Sequence, residues 1–370
     1  MNVFVFLIVF FALSYSAEKL FAIKTISPGH RHINRTRYIF LLFLVFFVAL
    51  YSVRDLHHCS NDTQVYIRSF LQLGRLNYAL DYHPNFEHGY LVLIYYISRL
   101  TLNPRVFLLL VGIFIYASFL FFIIRTTIKL SSNSLSSKKI IIAIVMFVIC
   151  GTFFSSTNLQ RQFIAIAIIL LSYDYLYEKK FLRFYLLVFL AYQFHHSSLI
   201  CCVLPLLHYI KINKRNIFIY VAVVALVLLF STKIVVWVIK HVSYFREYSG
   251  YANSVSIFVS TNGVKIGPLC LFLIYSMFIV TLYYSLNLKD KYQEFLFKLF
   301  CCGAVFLASS IHFTLTDRMG SYFMPVLFPL FAIIPKKIPF YVCFVVQLVF
   351  CLIVNTFRQD WTLFFPYRFM

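Results

Sequence analysis

Polar and charged residues stand at both open ends of an apolar hairpin near the middle of the chain. The stretch 155–162 opens it and contains Arg161, and His195-His196-Ser197-Ser198-Leu199 closes it. Arginine binds phosphate oxygens through paired N–H donors, and histidine exchanges a proton near neutral pH. These two clusters indicate chemistry on an anionic substrate, with Arg161 as the anion ligand and His195 as a candidate general base.

Two arginines occupy similar positions at predicted helix starts. Thr157-Asn158-Leu159-Gln160 fits a capping box, which places Arg161 in the first turn of the helix that follows. The stretch 314–317 repeats the pattern before Arg318. A cation there opposes the helix dipole, and a bound phosphate removes the conflict. The alternatives are an arginine that snorkels to the membrane interface and a local Asp317–Arg318 ion pair.

Other titratable residues allow more than one interpretation. His195 and His196 are poor metal ligands together, because adjacent side chains diverge and no third ligand is indicated; a structural histidine at a helix break is the alternative. Asp62 and Glu87 either accept a proton and hold sugar hydroxyls or are solvated loop charges. Tyr66 either stacks on a sugar face or belongs to an interfacial aromatic belt.

The elements that position these residues belong to a membrane protein. The chain is 62% hydrophobic and 12% charged, whereas soluble domains are about 25% charged. Its apolar runs approach the roughly 20 residues that span a bilayer, and they are continuous, which excludes a transmembrane barrel. The net charge of +21 does not indicate nucleic-acid binding, because lysine and arginine stand in short clusters between apolar runs.

Positive loops and apolar runs predict an all-α polytopic protein with about twelve transmembrane helices and both termini outside. We expect residues 1–370 to form one transmembrane domain. Residues 54–104 form an outer loop, in which a helix over 89–101 is too short to cross and is re-entrant or interfacial. A span covers about 139–155, and residues 238–265 form a second outer loop.

This topology gathers acidic and basic side chains on the outer face. They are Arg54, Asp55, Asp62, Asp81, Glu87, Arg161, His195, His196, Asp317 and Arg318. A substrate that approaches from outside the cell would meet all of them.

The chain resembles the EpsG-like family of bacterial exopolysaccharide polymerases, functional relatives of the Wzy O-antigen polymerases. The resemblance covers about residues 50–325 and rests on the order of five short motifs. These are Arg54 with Asn61-Asp62 and Tyr66; Glu87-x-Gly89-Tyr90; Arg161-Gln162 with Ala165; His195-His196-Ser197-Ser198-Leu199; and Asp317-Arg318 before Tyr322-Phe323. Asn61 stands where the family usually has glycine, and asparagine tolerates the left-handed backbone that glycine allows.

The resemblance implies an enzyme of the bacterial inner membrane with its active face outside. Such enzymes resemble inverting, metal-independent glycosyltransferases without a cofactor, acting on oligosaccharides linked to undecaprenyl diphosphate in the membrane lipid. The growing chain would move from its carrier onto the sugar end of another lipid-linked repeat unit. Other assembly proteins, such as a flippase and a chain-length regulator, are expected partners, and nucleic acid is not.

Roles in that reaction can be assigned to the motif residues. Arg161 and Arg318, with Arg54, would stabilise the leaving diphosphate. His195 is the first choice for the base that takes the acceptor hydroxyl proton, with Asp62 or Glu87 second. The residues expected to contact the substrate are Gln162, Tyr66, His196 and Asp317.

Two other functional classes stay open. A transporter such as a polysaccharide flippase suits about twelve spans, but such proteins place carboxylates within spans, where only Asp174 qualifies here. No internal repeat supports alternating access either. The third class is a non-catalytic assembly or acetyl-transfer partner of a polysaccharide machine.

Overall fold

Helices joined by turns make up the described part of this chain, with no strand among those residues. The structure is a computed structural model. It describes residues 3–22, 30–54, 56, 61–75, 86–131, 137–212, 266–310, 316–335 and 337–357. The predicted second outer loop, 238–265, lies wholly outside these ranges, as do residues 55, 57–60 and 76–85 of the first.

The helices before residue 213 carry most of the predicted site. In chain order they are α1 (Val3–Ala22), α2 (His30–Val53), α3 (Asn61–Leu73), α4 (His88–Leu100), α5 (Pro104–Ser131), α6 (Ser137–Ile149), α7 (Thr152–Asn158), α8 (Gln160–Tyr177), α9 (Phe181–Tyr192) and a 3₁₀ helix (His196–His208). The predicted short helix over 89–101 is therefore present as α4. The helix α3, by contrast, lies in a stretch where the sequence predicts only a loop.

The helices after residue 265 continue the numbering. They are α10 (Ile266–Ser285), α11 (Lys291–Ser310), α12 (Thr316–Gly320), a 3₁₀ turn (Met324–Val326), α13 (Leu327–Ile333) and α14 (Ile338–Phe357).

Two helices are long and apolar enough to cross a bilayer, namely Thr36–Val53 within α2 and the whole of α5. The bent pair α6 and α7 makes a third if it counts as one span, and several shorter apolar helices accompany them in the described ranges. The described residues thus form an all-helical membrane protein, as predicted. The number of about twelve spans and the re-entrant or interfacial placement of α4 stay predictions.

The span predicted over about 139–155 is broken at Gly151 into α6 and α7, and their crossing as one span stays a prediction. The axes of α6 and α7 differ by 51°, and Gly151 has a φ of 76°. That left-handed backbone suits glycine, whose lack of a Cβ removes the steric cost. The break frees carbonyls at the end of α6, and Gln347 Nε2 donates a hydrogen bond to one of them, Ile149 O, at 3.0 Å.

Packing divides the chain into two compact units, which are described separately. The first consists of Met1–Cys202, Phe328–Ile333 and Gln347–Met370, and the second of Val203–Leu327 and Ile334–Val346. The single transmembrane domain predicted for residues 1–370 stays a prediction.

Aromatic rings fill the core of the first unit. Phe47, Tyr116, Phe147 and Phe153 are fully buried or nearly so, and the rings of Phe47 and Phe153 lie 5.1 Å apart. The helices α2 and α5 approach closely, because a Cβ on Gly112 would lie 2.9 Å from the Tyr51 ring. This tight core holds the start of α3, the break before α7 and the start of α8 in fixed positions.

The helices α5 and α8 run in the same direction. Phe119 packs on Phe163 with ring centroids 5.8 Å apart, and Phe122 packs on Tyr173 at 6.0 Å. The helix α9 then turns back along α8. The turn at His195 therefore returns to the end of the bundle where α8 begins.

In the second unit, α10 packs against α11, and α11 packs against α12 and the 3₁₀ turn. Gly303 of α11 lies against Gly320 of α12, where a Cβ on Gly320 would be 3.2 Å from the carbonyl oxygen of Gly303. This contact fixes the place of α12, the helix that carries Arg318.

Candidate functional site

Three distant parts of the chain meet at the carboxylate of Glu87. Glu87 is the N-cap residue of α4, and only 8% of it is exposed. Its Oε2 accepts a hydrogen bond from Arg161 Nη1 at 2.5 Å, and its Oε1 accepts the backbone N–H of His196 at 3.4 Å. We call Glu87, Arg161 and the His196 peptide the Glu87 cluster.

Gly89 allows the start of α4 to approach the turn after α9 closely. Its backbone N–H donates a hydrogen bond to Gln193 O at 2.8 Å, which joins the start of α4 to the turn after α9. A Cβ on residue 89 would lie 2.7 Å from both Cβ and O of Gln193. Any side chain would push the two segments apart, so the glycine of the Glu87-x-Gly89 motif is a packing requirement.

Aromatic rings surround the Arg161 guanidinium. Its central carbon lies 4.6 Å from the centroid of Phe86 and 5.8 Å from that of Tyr66. Tyr66 packs edge-on against Tyr90 with centroids 5.5 Å apart, and Tyr90 OH donates to Gln160 Oε1 at 3.2 Å. These rings limit the contact of the ion pair with water, which strengthens its electrostatic attraction.

Arg161 lies in the first turn of α8, as predicted, but the predicted capping box is wrong. The helix α7 ends at Asn158, and α8 begins at Gln160. Thr157 Oγ1 donates to Phe154 O within α7 at 2.7 Å instead of capping α8. The box requires one helix to start after Thr157, whereas the apolar run folds into two helices with a single residue between them.

The carbonyl of Thr157 is a second meeting point. It accepts a hydrogen bond from Arg54 Nη1 and another from Thr63 Oγ1 at 3.0 Å. Arg54 is 5% exposed, and its guanidinium carbon lies 4.4 Å from the centroid of the Tyr51 ring. Among the described residues, Nε and Nη2 of Arg54 have no hydrogen-bond partner. Arg54 is therefore a buried cation with two nitrogen donors that no described residue accepts from.

His195 lies at the predicted turn, between α9 and the 3₁₀ helix, and is half-buried. Its Nδ1 lies 2.6 Å from Ser197 Oγ and accepts the backbone N–H of Ser197 at 3.3 Å. His196 is also half-buried, and its ring stacks on Tyr192 with centroids 4.8 Å apart. The turn whose His196 peptide binds Glu87 thus holds two oriented imidazoles.

The remaining predicted residues of the first unit lie near these contacts in sequence. Asp62 is half-buried in the first turn of α3, next to the Thr63 that binds Thr157. Gln162 is buried in the first turn of α8. Tyr66 is 5% exposed, so in this structure its ring packs on protein aromatics. Their roles as base and substrate ligands stay predictions.

Arg318 belongs to the second unit, where it is half-buried in α12. Thr314 and Leu315, on which its predicted capping box depends, lie outside the described residues. The roles of Arg318 and Asp317 therefore stay predictions.

Sequence reasoning missed several residues that build the site. Gly89 could have been identified, because it belongs to the Glu87-x-Gly89-Tyr90 motif. Gln193 and Thr157 act through backbone carbonyls, which any residue type supplies, so no sequence signal could identify them. Ser197 follows the histidine pair, but its contact with His195 depends on the backbone of the turn.

The family model of the EpsG family matches residues 37–369. This range contains Arg54, Glu87, Arg161, His195 and Arg318. No curated protein and no solved structure matches the chain.

Proposed function

The chain belongs to the EpsG family of polysaccharide polymerases, and from this membership we propose a specific reaction for it. The protein transfers a glycan chain from an undecaprenyl-diphosphate carrier onto a lipid-linked repeat unit. It works at the outer face of the bacterial inner membrane, as an inverting and metal-independent glycosyltransferase.

The observation that carries this proposal is the Glu87 cluster. A buried carboxylate holds Arg161 from α8 and the His196 peptide from the turn after α9. Active sites arrange buried charges and specific charge partners, so buried charges that converge from distant segments identify a candidate functional site. Within a membrane protein the cost of placing such charges is especially high.

The reaction needs an anion site and a proton acceptor. The bond between the sugar C1 and the diphosphate oxygen breaks while the acceptor oxygen bonds to C1 from the opposite face. The electron pair of the broken bond leaves on the diphosphate, and the acceptor hydroxyl proton passes to a base. Positioned cations stabilise the charge that develops on the leaving group.

Arg54 is the best-supported diphosphate ligand. Its positive charge contacts a neutral carbonyl and an aromatic ring, and two of its nitrogens have no partner among the described residues. The charge of Arg161 is already paired with Glu87, so Arg161 would bind the diphosphate while sharing its guanidinium with that carboxylate. Arg318 is the third proposed ligand, and its support is the family motif.

The base is His195 or Asp62. Both oxygens of Glu87 already accept hydrogen bonds, so Glu87 is better suited to position Arg161 and the histidine turn than to take a proton. Tyr66, Gln162, His196 and Asp317 remain the proposed substrate contacts, supported by their places in the same family motifs.

Asp174, the carboxylate on which a transporter would depend, has a different environment. It pairs with Arg125 at 2.7 Å and Lys129 at 2.6 Å near the end of α8. Both ion pairs lie at the end of α8 opposite the Glu87 cluster, and no observation favours transport over polymerisation.

Deletion of the gene in its own host, followed by glycan profiling of lipid-linked intermediates, tests the proposal. We expect single repeat units to accumulate on the outer face while long chains disappear, and the intact gene to restore them. Accumulation on the inner face would identify a flippase and overturn the proposal. Normal long chains would overturn it as well.

A further inference from the structure

We infer that Ser197 fixes the tautomer of His195, so that the imidazole presents an N–H donor at Nε2 to the substrate instead of a basic nitrogen. This inference rests on the proposed polymerase reaction and deepens it. It makes Ser197 a positioning residue and leaves Asp62 as the base.

The backbone N–H of Ser197 decides the role of Nδ1. A peptide N–H can only donate, and this one points at Nδ1 from 3.3 Å. Nδ1 must therefore offer its lone pair. The Ser197 hydroxyl lies 2.6 Å from the same nitrogen and can donate to it as well, because a hydroxyl rotates to suit its partner.

A neutral imidazole carries one N–H, so a lone pair at Nδ1 puts the proton on Nε2. To act as a base through Nε2, the ring would first have to move its proton to Nδ1. That tautomer would set an N–H of the ring against the N–H of Ser197 and lose that hydrogen bond. The turn therefore favours the donor form of His195.

The backbone around His195 is held on both sides. The His195 N–H donates to Ala191 O at 3.0 Å, and the Ser198 N–H donates to His195 O at 3.1 Å. Between His195 and Ser197, the His196 N–H is bound by Glu87. Glu87 therefore fixes the peptide that sets the distance between the imidazole and Ser197.

In the reaction, His195 keeps its proton and donates a hydrogen bond to a substrate oxygen that gains negative charge. The acceptor hydroxyl proton passes to the Asp62 carboxylate, the other candidate base. Among the described residues, the charged and titratable groups with contacts at the histidine turn include Glu87 from α4, its partner Arg161 from α8, and His196 with Tyr192.

The pH profile of polymerisation separates a donor from a base. The assay uses the full-length protein in nanodiscs and lipid-linked repeat units extracted from a host that lacks the gene. Protonated and neutral imidazole both donate at Nε2, so the acid limb of kcat/KM should have the same midpoint in wild type and His195→Gln. Glutamine keeps an amide donor, so we expect it to retain at least tenfold more activity than His195→Ala, which should fall about 10²–10³-fold.

If the acid limb of the pH profile of kcat/KM is lost in His195→Gln, then His195 is the base and the inference is overturned. Equal activities of His195→Gln and His195→Ala would also overturn it. If the wild-type protein makes no polymer from this substrate, the proposed function itself fails, so the two failures are distinguishable.

Ser197 has a matched control in its neighbour. Ser197→Ala should lower turnover about tenfold, as the loss of a residue that orients a site histidine does, and Ser197→Thr should restore most of it. Ser198 is buried, and its hydroxyl has no hydrogen-bond partner among the described residues. Ser198→Ala should therefore keep wild-type turnover; an equal loss in both alanine variants would contradict a specific role for Ser197.

The tautomer can be observed directly by nitrogen NMR of protein labelled with ¹⁵N-histidine. The chain has 11 histidines, and the His195→Gln spectrum identifies the resonances of His195. We expect a protonated Nε2 and an unprotonated Nδ1 at neutral pH, in the wild-type protein and also in Ser197→Ala, because alanine keeps the backbone N–H that donates to Nδ1. A protonated Nδ1 in the wild-type protein would overturn the inference.

Discussion

The two ends of α8 carry ion pairs of opposite character. At its start, Arg161 pairs with Glu87, and their side chains are 20% and 8% exposed. Near its end, Asp174 pairs with Arg125 and Lys129, whose side chains are 44% and 34% exposed. We call these three residues the Asp174 cluster. Arg161 and Asp174 are 13 positions apart, which separates the two clusters by about 20 Å along the helix.

The two clusters differ in the free energy that burying their charges requires. Burying an ion pair requires desolvation that its attraction seldom repays, so a buried pair is weak support for a stabilising role. The Glu87 cluster bears that cost beneath aromatic rings, which supports the functional role proposed for it. The Asp174 cluster keeps its cations in contact with solvent, which costs little and is typical of the charges that flank a membrane helix.

Removal of the Arg161 guanidinium should have the largest effect. Arg161→Ala leaves Glu87 buried without its cation, which should cost about 3 kcal/mol of stability and abolish long-chain polymer. Thermal unfolding in detergent and glycan profiling measure the two effects. Arg125→Ala is the matched control at the Asp174 cluster and should leave polymer length unchanged.

The stability loss can be separated from the functional loss with a second variant. Glu87→Gln combined with Arg161→Gln removes both charges and should unfold at a higher temperature than Arg161→Ala. It should still make no long chains. Recovery of polymer in this double variant would mean that the ion pair only supports the fold.

Neutralising Glu87 alone should have an intermediate effect. Glu87→Gln keeps the shape of the side chain and an oxygen for Arg161 or the His196 N–H, but it loses the charge that orients both. We expect polymer yield to fall about tenfold or more, as for other residues that orient a site. Asp174→Asn is the control. If it loses as much polymer yield as Glu87→Gln, the expected difference between the two clusters is contradicted.

A side chain at residue 89 tests the backbone of the same cluster. Gly89→Ala places a Cβ 2.7 Å from Gln193 backbone and side-chain atoms, so α4 must move away from the histidine turn. Polymer yield should fall about tenfold, since small displacements within a site cost this much or more. Gly74→Ala is the control, because its closest contact is the flexible end of Leu102, and it should stay active.

The smallest effect is expected at the Asp174 cluster. Lys129→Ala leaves Asp174 paired with Arg125, so the melting temperature should change by an amount equivalent to about 0–1 kcal/mol. Polymer length should be unchanged. A drop in activity comparable to that of Glu87→Gln would show that the two ends of α8 are functionally alike.

The sequence predicts only part of the difference between the two clusters. The apolar runs and the positive clusters predict a helical membrane protein, and the motifs identify Glu87, Arg161 and His195 as separate candidates. Their meeting depends on packing at Gly89 and on a backbone oxygen of Gln193, and neither contact has a periodic signal. The pairing of Arg161 with Glu87 was therefore not predicted, and because of it we propose a positioning role for Glu87, which the sequence offers only as a candidate base.

The break at Gly151 was missed for a related reason. A lone glycine within an apolar run is common in membrane helices, and nothing in the local pattern requires a positive φ. The structure stabilises the break through Gln347, 198 residues away from Ile149. Contacts at such separation are invisible to local patterns, and for the same reason the capping box at Thr157 was wrong.

The most direct test of the account compares the two clusters at equal protein level in the gene's own host. One variant combines Glu87→Gln with Arg161→Gln, and the other combines Asp174→Asn with Arg125→Gln. Profiling of lipid-linked and surface glycans should show single repeat units and no long chains in the first, and normal long chains in the second. Normal chains in the first variant, or the same loss in both, would contradict the claim that the Glu87 cluster is the polymerase site.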